Sequence, residues 1–166
     1  MRDPACGHEV DVVDFAEPYR DELLRMWRQS FEHGVGIIDP HPLAEQSAYF
    51  DAVIRPAYRV RLALRGGAVV GLLASNTASV AQLHVRVCDH GQGIGTRLLR
   101  LAQADCAGRL WLYTFLRNAR ACRFYEHHGF CAVARGFEPD WQLEDVRYEW
   151  TRPPHEDPRR PPGPTA

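Results

Sequence analysis

The residues best placed to do chemistry begin with His90-Gly91-Gln92-Gly93-Ile94-Gly95-Thr96, a glycine-rich run that follows a strand-like segment, 80–88, and opens a helix-like one, Thr96-Arg97-Leu98-Leu99-Arg100-Leu101. A strand feeding a helix through such a turn leaves backbone N–H groups unpaired at the positive end of the helix, where they can hold a phosphate. Spacing narrows the ligand. A dinucleotide fingerprint sets two residues between its second and third glycines and an acidic residue about 20 positions on. Here Ile94 alone separates Gly93 from Gly95, and 112–117 holds no carboxylate. A P-loop needs Gly-Lys-Ser/Thr, and the chain contains no lysine. The turn reads as a phosphate cradle that fits neither nucleotide motif.

The stretch Gln82-Leu83-His84-Val85-Arg86-Val87-Cys88-Asp89-His90-Gly91-Gln92-Gly93-Ile94-Gly95-Thr96-Arg97-Leu98-Leu99 resembles the acetyl-CoA motif of the GNAT superfamily of N-acetyltransferases, Q/R-x-x-G-x-G/A after an L-x-V strand. A second block, Asn118-Ala119-Arg120-Ala121-Cys122-Arg123-Phe124-Tyr125-Glu126-His127-His128-Gly129-Phe130, is similar to that family's N-x-x-A-x-x-F-Y-x-x-x-G-F helix. Either block alone is a weak signal; the two in this order, about a helix and a strand apart, are specific. His90 departs from the pattern, standing where the family usually has Gln or Arg.

The resemblance implies acetyl-CoA as cosubstrate and no metal. By position, the backbone of Val85 and Val87 would hold the pantetheine arm, and the turn from Gln92 through Gly93, Ile94 and Gly95 to Thr96 would hold the pyrophosphate. Asn118 would bond the pantetheine arm or a water beside it, or serve only as a helix N-cap. Tyr125 matches the family's general acid, near the cofactor sulfur; the alternative is an aromatic core residue beside Phe124. A backbone N–H at Val85 or its neighbour would stabilise the oxyanion. The base is open among His84, whose ordinary pKa suits the task, Glu32 and His33 in a loop expected over 32–41, and a chain of ordered waters.

On the acceptor side, Glu138, Asp140, Glu144 and Asp145 are expected between the last two strands, with Trp141 among them, and Glu32 and Asp39 in the roof loop. An acidic, aromatic funnel favours a cationic amine; the alternative is a set of solvated surface carboxylates. The first reading is therefore an N-acetyltransferase acting on a small primary amine by direct attack in a ternary complex. A protein or peptide N-acetyltransferase is the alternative within the enzyme class, and a non-catalytic CoA-binding regulatory module the alternative outside it. Retention of Tyr125 and Asn118 argues against the module.

These residues need elements to position them. Apolar spacing predicts a strand over 10–15, helices over 18–34 and 42–53, a hairpin of strands over 59–64 and 68–75, and a strand over 80–88. A helix over 93–104, a strand over 110–115, a helix over 118–128 and strands over 131–137 and 146–151 follow. The expected fold is α+β, a GNAT-like mixed central sheet splayed between its fourth and fifth strands and flanked by helices. Residues 1–9 read as an N-terminal extension, 10–152 as the acetyltransferase domain, and 153–166 as a Pro-rich disordered tail.

Composition bounds the partners. At 166 residues and 45% apolar, the chain supports one core. A net charge of −1 gives no basis for nucleic-acid or membrane-surface binding, and all 20 basic residues are arginine. Five cysteines without a C-x-x-C pair argue against a disulfide framework. Cys6 with His8 and Cys88 with His90 repeat one spacing, but structural metal sites favour tighter clusters. No apolar run is long enough to span a membrane and none resembles a signal peptide, so a cytoplasmic setting is expected. A homodimer is left open.

Overall fold

The computed structural model describes residues 9–154; 1–8 and 155–166, which hold most of the expected extension and tail, lie outside the described residues. The order is β1 (Val10–Asp14), α1 (Arg20–Val35), α2 (Leu43–Tyr49), α3 (Arg55–Ala57), β2 (Arg59–Arg65), β3 (Ala68–Ser75) and β4 (Val80–Val85), followed by α4 (Ile94–Asp105), β5 (Arg109–Phe115), α5 (Ala119–His127), β6 (Cys131–Glu138) and β7 (Leu143–Thr151). Strands β1 to β4 form one antiparallel sheet in chain order, and β5, β7 and β6 a second with β7 central.

Between β4 and β5 the hydrogen-bonded ladder breaks. Among the described residues the two sheets are joined by one parallel bridge, Ser79 to Trp111, where the Trp111 N–H donates to the Ala78 carbonyl at 3.0 Å. This is the expected splay in an α+β fold, with the parallel relation reduced to that bridge. What holds the sheets together beyond it is apolar packing. One core cluster takes Ala63, Val70 and Leu73 from the first sheet, Leu110, Leu112, Val146 and Tyr148 from the second, and Leu98, Leu99 and Ala102 from α4 between them. A second cluster seals the other face of the first sheet under α1 and α2, with Leu23, Trp27 and Phe50 against Leu62, Leu64 and Leu72.

Several boundaries differ from the sequence expectation. Helix α1 passes Gly34 and ends at Val35, because Gly36 takes the left-handed conformation (φ 71°) that closes the helix, its N–H donating to the Glu32 carbonyl at 2.8 Å. Glu32 and His33 are thus helical, not part of a roof loop. The second helical run does not stop at Pro56: a π turn over Phe50–Ile54 bonds i to i+5 and relieves the clash a proline makes with the carbonyl four residues earlier, so the path reaches Ala57. Strand β4 stops at Val85, not at Cys88. Its alternation continues on paper through Val87, but Asp89 is buried, 3% exposed, and gripped by Arg65 and Arg86, which folds Val87–Asp89 into a 3-10 turn. No helix among the described residues is long and apolar enough to cross a membrane.

Candidate active site

The splay opens a cavity of about 1230 Å³. Its lining includes the glycine turn (Gly91 and 93–96), Val85, Asn118 and Tyr125, and on the α1–α2 side Trp27, Phe31, Tyr49, Phe115 and Trp141.

Gly93 is the N-cap of α4 and sits at φ 80°, a left-handed backbone that side chains other than glycine rarely adopt. No side chain caps the helix, and the first bond that closes on it runs from Arg97 N–H to the Gly93 carbonyl at 3.0 Å. The amides of Ile94, Gly95 and Thr96 are therefore left without intrahelical partners at the positive end of α4. The Thr96 hydroxyl is otherwise engaged: His128 Nδ1–H donates to the Phe124 carbonyl at 2.7 Å, so its Nε2 accepts from Thr96 Oγ1 at 3.1 Å. Of Thr96, the amide alone is left for a ligand. Gln92 is exposed, off the cleft, with its side chain on the Cys88 carbonyl, and Val87 also lies off the cleft in its turn. The expected backbone contact from Val87 is corrected on that ground.

Arg86 N–H bonds back to the Val70 carbonyl on β3, so by alternation Val85 turns its backbone groups into the splay. The Val85 carbonyl there accepts from His90 Nε2–H at 2.9 Å, while His90 Nδ1 accepts from Arg120 Nη1 at 2.7 Å. Burial pushes the His90 pKa below its usual value, with the Arg120 charge acting in the same sense and the Val85 hydrogen bond opposing both. Arg120 went unnoticed in the sequence; its signal was the basic residue inside the second block. Asn118 caps α5, its Oδ1 accepting from Ala121 N–H at 3.1 Å, and also lines the cleft.

Tyr125 is 7% exposed and lines the cleft, and its hydroxyl has no hydrogen-bond partner among the described residues. Burial, with Cys122 nearby, raises its pKa well above the ordinary phenol value. Its ring is also a core aromatic, 5.6 Å from Phe130 and 6.1 Å from Tyr148.

The candidate bases fare differently. His84 lines the cleft against Trp27, with ring centroids 6.0 Å apart, and burial pulls its pKa down to about 4. Both ring nitrogens are engaged, Nε2 with Gln82 Oε1 at 2.9 Å and Nδ1 with Ser30 Oγ at 3.4 Å. His84 is neutral at pH 7 and a weak base, a correction to the expectation drawn from its ordinary pKa. Glu32 lies off the cleft and its Oε1 accepts the Asp39 N–H at 2.9 Å, so it is not placed as a base either. His33 reaches the cleft, its ring 5.9 Å from that of His90.

The carboxylates separate as well. Asp39 is held by Arg28 (3.4 Å) and His41 (3.1 Å), and Glu138 accepts from Asp140 N–H at 3.1 Å. Glu144 and Asp145 fall inside β7 because that strand is paired on both sides and begins at Leu143. Glu144 is off the cleft; Asp145 lines it. An aromatic group gathers around Trp141, whose ring lies 4.7 Å from Phe31, 4.6 Å from His41 and 6.2 Å from Phe115. Among the described residues no group of three metal-ligating side chains stands together.

The family model described as the acetyltransferase (GNAT) family matches residues 20–130. No curated protein matches the chain. Solved structures do. An acetyltransferase from Thermus thermophilus is 20% identical with a TM-score of 0.70, over 87% of this chain and 99% of that one. The structure of yncA from Salmonella typhimurium with its cofactor acetyl-CoA is 15% identical with a TM-score of 0.66, over 90% and 97%. The PaiA N-acetyltransferase from Thermoplasma acidophilum in complex with coenzyme A is 15% identical with a TM-score of 0.68, over 86% and 99%. At these identities the structural likeness speaks for the fold.

Proposed function

The chain belongs to the GNAT acetyltransferase family, and from that premise we propose that residues 10–152 form a domain that transfers an acetyl group from acetyl-CoA to a primary amine on a small cationic molecule, in a ternary complex. The observation that carries this reading is one cleft lined by both the uncapped α4 N-terminus and a largely buried tyrosine whose hydroxyl has no partner among the described residues. When bound, acetyl-CoA supplies a thioester whose carbonyl carbon accepts a neutral amine, the C–N bond forming as the C–S bond breaks. The residues fit it: Gly91 and Gly93 leave open the space a Cβ would fill, so backbone can approach a phosphate. The amides at 94–96 bind the pyrophosphate, and the backbone of Val85 on the open edge of β4 receives the pantetheine arm.

Tyr125 holds the proton that the departing sulfur takes up; burial keeps that proton in place at neutral pH. The Val85 N–H stabilises charge on the carbonyl oxygen. His84 orients, through Ser30 and Gln82, the wall of the acceptor side and leaves the amine to shed its proton to water in the cleft. The cysteines among the described residues are free thiols, consistent with a reducing, cytoplasmic setting.

A panel of primary amines mixed with acetyl-CoA, read by release of free thiol, tests the reading. Amine-dependent thiol release is expected. Tight acetyl-CoA binding with no release from any small amine, but release with peptides, would transfer the assignment to a peptide acetyltransferase; no release from either would leave a CoA-binding module.

A further inference from the structure

Among the carboxylates that line the cleft, Asp145 alone combines partial burial with the lack of any engagement. Asp39 and Asp89 are ion-paired with arginines, Glu138 is bonded to backbone, and Glu45 and Asp140 are exposed at the rim. Asp145 has neither hydrogen bond nor ion pair among the described residues. Its strand neighbour Arg147 turns away, held by Glu149 at 2.9 Å and stacked over Trp111 at 5.1 Å. In register, Asp145 lies between Phe115 on β5 and Gly136 on β6. A Cβ at Gly136 would come within 2.7 Å of Asp145 Oδ1, so the glycine makes the notch in which the carboxylate sits. Phe115 carries the aromatic group on to Trp141 and Phe31. An unneutralised carboxylate beside aromatic faces is the chemistry that holds a cation.

That cation is not the reacting nitrogen. Along β7, Val146, Tyr148 and Trp150 point to the core where Tyr125 packs, so Asp145 points to the opposite face of the sheet. The attacking nitrogen must be neutral and near Tyr125, whereas a nitrogen at Asp145 is charged. We propose that the acceptor carries a second positive charge, separate from the amine that is acetylated, and that Asp145 is the residue that selects for it. This rests on the acetyl-transfer reading above.

Three acceptors with the same chain length and the same nucleophile test it: putrescine, butylamine and γ-aminobutyrate, whose far ends are cationic, neutral and anionic. With the wild-type protein, kcat/KM is expected to fall in that order, putrescine leading butylamine by about tenfold through KM. Asp145→Asn should bring putrescine to the butylamine level, leaving butylamine turnover and acetyl-CoA affinity unchanged, the latter showing that the variant is folded. Glu144→Gln, off the cleft, should change neither. Equal use of putrescine and butylamine by the wild type, or a preference that survives Asp145→Asn, overturns the role of Asp145 while the acetyl-transfer reading stands. Absence of thiol release with all three, with acetyl-CoA still bound, overturns the small-amine acceptor together with the role of Asp145.

Discussion

On the α4 side the cleft offers backbone groups from a short reach of chain, Val85 with Gly91 and 93–96, whereas on the α1–α2 side it offers side chains from α1, α2, β4, β5, β6, β7 and the loops between them. The first half needs one helix end in the right place, and its donors are aimed by the helix itself. In the second half Arg28, Asp39 and His41 are bonded to one another, with Gln46 joined to Arg28. Beyond that network a ligand meets aromatic walls and carboxylates without ion pairs among the described residues, Asp145 in the wall and Glu45 and Asp140 at the rim. Binding of a shared, invariant ligand suits the first construction, and discrimination between acceptors suits the second.

Breaking the backbone half should have the largest effect. Gly93→Val forces a β-branched side chain onto φ 80°, and relief of that strain moves the amides it precedes. Acetyl-CoA Kd is expected to rise by about 100-fold or more, measured by calorimetric titration. An affinity within twofold of wild type would place the cradle elsewhere.

Tyr125 stands at the junction of the halves and sharpens the comparison. Tyr125→Phe keeps the ring contacts with Phe130 and Tyr148 and removes the proton, so kcat should drop by about 10²-fold at unchanged acetyl-CoA affinity. If kcat holds with chemistry rate-limiting, the tyrosine is packing alone.

The side-chain half should show itself in stability. His84 takes its proton at about 4 in the folded protein against 6.5 in the unfolded chain. Between those values the unfolded chain binds more protons, so stability is full above about pH 6.5 and is lost as pH falls towards 4. The loss is of order 2 kcal/mol, below what the whole shift would give because the ring borders a solvent-accessible cleft. Urea midpoints across that range should slope in the wild type and flatten in His84→Gln; equal slopes in both would assign the effect to other groups.

This contrast also explains what could be read from the chain in advance. The glycine turn, the α5 cap at Asn118 and the order of elements are local signals, carried by neighbours in sequence, and they were legible. The state of a side chain was not. His84 has the right type for a base, but its low pKa comes from Trp27 and the rest of the wall that buries it, more than fifty positions away for Trp27. Glu32 was misplaced because the helix terminator is Gly36 and not Gly34, which hangs on two glycines of identical type. Asp145 was visible only as one of four acids; its strand register beside Gly136 set it apart. Val87 failed for a related reason, since its alternation with Val85 is that of a strand while a buried Asp89 bends the chain.

The break between the sheets has a mechanical side. Across most of the β4–β5 boundary no ladder of directional bonds fixes the separation, and what spans it is an apolar cluster that Leu98, Leu99 and Ala102 of α4 share with residues of both sheets. Apolar contacts are non-directional and tolerate small sliding at little cost, whereas a hydrogen bond weakens steeply with misalignment. The gap is thus a seam between two hydrogen-bonded sheets, and a change in its width would be met by sliding of apolar side chains and not by the strand-to-strand bonds within either sheet.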